Sequence, residues 1–131
     1  MDRINEMKDT HLIAQFMGAE LLEETECETP HGSCTTVVTQ KWKVPSSVPT
    51  YDIAIASIGI FFYESDWSWL MPVVAKIESI GDYTIATRKI GDLYYCSIRQ
   101  DDIDIILRFN ESKIKSIYIS VVDFIKNYNQ L

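Results

Sequence analysis

The groups in this sequence best suited to hold a ligand are flat aromatic rings and guanidinium forks. Trp67 and Trp69 stand two positions apart, Tyr94 and Tyr95 are adjacent, and Arg88, Arg99 and Arg108 flank them along the chain. A π face stacks on any nucleobase, and a guanidinium matches two phosphate oxygens at once. Trp67, Trp69, Arg88, Tyr94 and Arg99 are therefore the expected ligand-binding residues, and a small nucleotide-like molecule is the expected ligand. The competing use of the same rings is packing at the border of an apolar core, which is commoner for Trp and Tyr.

Catalytic chemistry finds less support. Neither a Walker loop nor G-x-G-x-x-G is present, and no Ser sits in a G-x-S-x-G elbow. Only His11 and His31 are available as imidazole bases. Asp101, Asp102 and Asp104 lack the Gly and the distal Glu of a calcium loop and read as a solvated turn. Cys27, His31 and Cys34 lack the close-set cysteine pairs of a structural zinc site, so no metal and no cofactor are expected. Three cysteines without a secretory signal read as reduced thiols. Paired carboxylates for acid–base hydrolysis can be drawn from 19 acids in many ways, which neither supports nor excludes them.

The elements that must carry these residues follow from periodicity. Leu12, Ile13, Phe16 and Met17 share one arc of a short helix with Thr10 as N-cap and Gly18 as its stop, and residues 1–9 read as a loose arm. Residues 20–44 read as a hairpin turning at Thr29-Pro30-His31-Gly32. Residues 53–62 are apolar on both alternating faces and are expected to form a strand covered on both sides. Ser65 is the expected N-cap of a helix over 66–80, kinked at Pro72, with Trp67 and Trp69 at opposite borders of its apolar stripe. A meander over 83–90, 93–99 and 103–109 precedes a strongly amphipathic helix over 113–128. The order predicts a single α+β domain: a mostly antiparallel five- to six-stranded sheet flanked by three helices, an α/β/α sandwich. Ile119, on the polar side of the last helix, points to a homo-oligomer.

Charge narrows the partners. The chain carries a formal charge of −7, and residues 1–40 hold 8 acids against 2 bases. Glu20, Glu23, Glu24, Glu26 and Glu28 place five carboxylates in nine positions, a segment that repels a phosphate backbone, so duplex nucleic acid is not an expected partner. The longest apolar run, Ile53 to Tyr63, is about half the roughly 20 residues of a membrane span. The N-terminal residues lack the apolar core of a signal peptide, so no membrane is expected as partner and a cytoplasmic location is.

Three stretches carry a resemblance: His11-Leu12-Ile13-Ala14-Gln15-Phe16-Met17-Gly18, the block from Ser65 through Trp67-Ser68-Trp69-Leu70-Met71-Pro72 to Glu78, and Val121 to Asn129. Together they resemble small phage and prophage proteins with a phage ABA sandwich domain, a sheet between helical layers. The resemblance implies that fold and a viral setting, hence the host-cell cytoplasm, and carries over no catalytic residue. With the absent catalytic motifs, the expected function is a non-enzymatic phage accessory protein acting by binding, an anti-defence protein sequestering a small or cyclic nucleotide signal. The alternatives are an inhibitor that meets a host protein through the acidic segment, and a small hydrolase using Asp and Glu.

Overall fold

A computed structural model describes residues 8–28 and 36–129. The turn at residues 29–32, His31 and Cys34 of the zinc trio, and residues 1–7 of the expected arm lie outside the described residues. The elements are α1 (Asp9–Phe16), β1 (Glu20–Glu28), β2 (Thr36–Lys43), a 3-10 turn (Thr50–Asp52), α2 (Ile53–Ala56), α3 (Trp67–Ser79), β3 (Tyr83–Ile90), β4 (Leu93–Gln100), β5 (Ile103–Asn110) and α4 (Lys113–Tyr128).

The fold is α+β, but the strands form two sheets rather than one of five or six. β1 and β2 pair antiparallel by themselves, and β3, β4 and β5 form a separate antiparallel meander. The α/β/α sandwich is corrected with it. α4 packs on β4 and β5 and α3 against β3; Cys96, Ile98 and Ile106 are buried on the inner face of the meander. On its outer face Ile90, Leu93, Leu107 and Phe109 are exposed, so the described residues put no helical layer there.

α4 obeys its periodicity. Ser112 caps it by accepting the Lys115 amide, and Ile117, Tyr118, Val121, Val122, Phe124 and Ile125 are buried. Ser116 and Ser120, one turn apart, are wholly buried and return their hydroxyls to backbone carbonyls one turn earlier. Small, internally satisfied side chains let this helix approach the sheet closely without an unpaired polar group. Ile119 is half-buried and packs against the core, which removes the exposed apolar residue that suggested an oligomer.

Other boundaries shift for local reasons. α1 starts at Asp9, with Lys8 rather than Thr10 at the N-cap position, and closes at Gly18, whose φ of +103° suits glycine. Asp66, not Ser65, caps α3, its carboxylate accepting the Ser68 amide at 2.9 Å. α3 runs unbroken through Pro72.

The largest correction is residues 53–62. They form no strand: the 3-10 turn leads into α2, and Ile60 returns its amide to the Ile55 carbonyl in the turns that follow. Ala56 is buried, while Ile53, Ile55, Ile58 and Ile60 are exposed. A short apolar run carries the same hydrophobicity in a strand and in a helical turn. Here Pro49 at the entry and Gly59, at φ +93°, at the exit favour the compact form. Among the described residues no helix is long and apolar enough to cross a membrane.

Candidate functional site

Residues from four elements meet around Trp69. Its indole is 1% exposed and is contacted edge-on by Phe61, Phe62 and Tyr63. Its Nε1 donates to the buried Asp52 carboxylate at 2.7 Å. On the other side of Phe61, Trp42 and His11 continue the aromatic cluster at centroid distances of 5.3 and 5.5 Å. The Tyr63 hydroxyl is buried with no partner among the described residues, and that burial pushes its pKa up. This cluster anchors the segment 50–60: Asp52 is tied to α3, and the Gly59 carbonyl lies 3.0 Å from Nε2 of His11.

Gly59 cannot carry a side chain there. A Cβ on it would stand 2.7 Å from Oε1 of Gln40 and 2.9 Å from Nε1 of Trp42, which donates a hydrogen bond to that oxygen. Gln40 in turn donates to Glu24 at 2.9 Å, so the apolar loop Ile58–Ile60 is seated against the β1–β2 hairpin. Across that hairpin Lys43 stands opposite Glu20 and Lys41 opposite Glu23, which offsets part of the acidity that the first strand shows by itself.

His11 makes the seat pH-sensitive. Burial lowers its pKa below the ordinary 6.5, only partly countered by its bond to the Gly59 carbonyl. The folded chain thus prefers the neutral ring, so this share of stability is full above pH 6.5 and is lost as pH falls through the depressed folded value. Melting temperatures at pH 7.5 and pH 5 are expected to drop less in His11→Gln than in the parent chain; equal drops would sink the assignment.

Of the residues expected to hold a nucleotide, Trp69 is closed off and the two arginines stand apart. Trp67 is exposed on α3, whereas Trp69 has no free face and is corrected from ligand platform to core. Arg88 on β3 stands opposite Tyr95, and Arg99 on β4 stands opposite Thr84, which places them about 13 Å apart along the hairpin. Tyr94 is half-buried beneath the Lys89 ammonium at 5.7 Å, and Tyr95 packs on Phe109. Arg99 pairs with Asp104 at 3.0 Å and donates to the Asp102 carbonyl, while Arg108 pairs with Asp123 at 2.6 Å. The cavity beside Arg99, about 280 Å³, is lined by Asp82, Thr84, Asp101 and Asp102, carboxylates that repel a phosphate. A smaller apolar cavity of about 190 Å³ lies between Tyr83, Phe124 and Tyr128. Both fall below the volume range of most ligand pockets.

No family model, curated protein or solved structure matches this chain.

Sequence reasoning missed the apolar surface around the Trp69 anchor. Tyr51 is 75% exposed and Ile58 59%, with Ile53, Ile55 and Ile60 also open. The Tyr51 hydroxyl reaches Ser68 at 3.5 Å, joining this segment to the start of α3, where Trp67 and Met71 are exposed one turn apart. Among the described residues no cluster of three or more His, Cys, Asp or Glu is arranged to hold a metal ion. The Asp101-Asp102 pair forms a tight hairpin turn at φ +54° and +65°, conformations Asp tolerates.

Proposed function

We propose that this protein is a non-enzymatic binding protein that docks a protein partner on the surface formed by Tyr51–Ile60 and the outer side of α3 at Trp67 and Met71. The carrying observation is the run of exposed isoleucines held in a fixed pose by the Asp52–Trp69 and His11–Gly59 contacts. A rigid apolar patch releases water on binding and loses little conformational freedom, which is what a protein interface needs at its centre. In the viral setting that the resemblance implies, the partner is a host protein. Sequestration of a small nucleotide has less support, because Trp69 is core, Arg88 and Arg99 stand about 13 Å apart and acids crowd Arg99.

The test compares the parent chain with Ile58→Asp/Ile60→Asp by quantitative affinity purification from bacterial extract, after circular dichroism shows both folded. At least one captured protein is expected to fall about tenfold or more in the variant, as loss of a central apolar anchor does. Equal recovery of every captured protein, or a bound nucleotide found by native mass spectrometry, would overturn the reading.

A further inference from the structure

The docking surface has two unlike ends. Around Ile58 and Ile60 the charges are mixed, because Lys41 and Lys43 face Glu23 and Glu20 across the hairpin that seats this loop. At the Tyr51 end they have one sign. No Lys, Arg or His occurs between Lys43 and Lys76, whereas Asp52, Glu64 and Asp66 do. Lys115 reaches in from α4 and pairs with Glu64 at 3.2 Å. Asp52 and Asp66 have no cation paired with them among the described residues: Asp52 accepts the Trp69 indole, and one oxygen of Asp66 accepts both the amide and the hydroxyl of Ser68. The Ser68 hydroxyl in turn lies 3.5 Å from that of Tyr51, so a chain of hydroxyls links the Asp66 carboxylate to the rim of an exposed ring, and Trp67, next to Asp66 in sequence, is exposed as well.

We infer, on the basis of the docking reading above, that the partner sets an arginine at the Tyr51–Trp67 end of this surface and apolar side chains along the isoleucines. Charge and ring chemistry select it together. Two carboxylates that hold only neutral donors leave a negative potential that no ion pair in the fold cancels, and a partner's cation cancels it. Exposed Tyr and Trp faces attract the same group, and a guanidinium, being planar and weakly hydrated, also lies flat on a ring. An arginine thus satisfies ring and acid at once, and Arg, Trp and Tyr are the side chains that most often carry the binding energy of an interface. Ile58 and Ile60 ask only for apolar contact, so the fitting segment is amphipathic, an apolar run edged with basic residues. An anionic membrane surface is repelled by the same acids. Paired with itself about a two-fold axis, segment 44–75 offers these acids no cation.

Two synthetic amphipathic helices of about 18 residues with the same leucine face, one edged with arginine and one with glutamate, test it by isothermal titration calorimetry. The arginine peptide is expected to bind about tenfold or more tighter than the glutamate peptide. Trp67→Ala and Asp66→Ser, the latter keeping a capping side chain on α3, should each weaken the arginine peptide about fivefold, and Ile58→Ser/Ile60→Ser about tenfold, with circular dichroism confirming each fold. Glu20→Gln/Glu23→Gln removes two acids of the hairpin and spares the patch, and should change the affinity by about twofold or less. Equal affinity for the two peptides, or no binding of the arginine peptide at about 1 mM, would overturn the inference. So would a loss in the hairpin variant as large as in Asp66→Ser, which marks diffuse attraction to an acidic chain. Self-association of the parent chain, or its binding to phosphatidylcholine vesicles, that disappears in Ile58→Ser/Ile60→Ser would give the patch to a second copy or to lipid and overturn it too. Capture from extract judges the docking reading without either peptide, so failure of that reading and failure of the arginine assignment are told apart.

Discussion

Trp69→Ala is expected to cost about 3–5 kcal/mol of stability, whereas Trp67→Ala, two positions away, costs about 0.5 kcal/mol or less. Three effects converge at Trp69. Its side chain is almost wholly buried, so truncation leaves a cavity walled by Phe61, Phe62 and Tyr63 that rigid rings cannot collapse into. It also strips the donor from Asp52, leaving a buried carboxylate without its indole partner. Finally it cuts the tie between α3 and the segment 50–60. Trp69→Phe separates these contributions: it keeps most of the volume and loses the hydrogen bond, with an expected cost of about 1–3 kcal/mol. Urea midpoints for the three variants check the ordering. A Trp67→Ala loss equal to that of Trp69→Ala would show that the two rings are packed alike, against the exposures seen here.

The second large effect lies on α4. Phe124→Ala is expected to lose about 3–5 kcal/mol, toward the lower end of that range. The Phe124 ring is 3% exposed, meets Tyr83 edge-on at 4.8 Å and stacks on Tyr128 at 5.7 Å. Its truncation removes the contact that presses the C-terminal part of α4 onto the start of β3. The cost is moderated because Phe124 already lines the cavity of about 190 Å³, into which water can enter and neighbours can shift. Denaturant titration of the variant measures it, and a shift well under 1 kcal/mol would contradict the packing of α4 described above.

Much of the scaffold was legible because its signals are local. In α4 the apolar residues recur at the helical period over sixteen positions, and one cap residue starts it. In the meander, Gly91-Asp92 and Asp101-Asp102 punctuate β-rich runs, so strands and turns follow from neighbouring residues alone. The candidate surface was not legible. Residues 53–62 hold the composition of a covered strand, yet the 3-10 turn, α2 and Gly59 leave most of their isoleucines outside. No local pattern distinguishes an isoleucine that the fold will cover from one that it leaves exposed.

By itself, then, the sequence determined the α+β class, the helices near residues 66–80 and 113–128, the meander, and the absence of familiar nucleotide-loop and serine-elbow motifs, all matters of residue type and short-range period. Only the tertiary structure decided that the strands split into two sheets, because strand pairing depends on distant segments competing for the same edges. It also decided which tryptophan is core. Trp67 and Trp69 point about 200° apart on one helix, and which direction is inward depends on where Asp52 and the aromatic cluster arrive from elsewhere in the chain. The same holds for Arg99: a guanidinium is a phosphate fork or half of an ion pair according to what stands beside it, and here folding brings Asp104, Asp82 and Asp102 to its side.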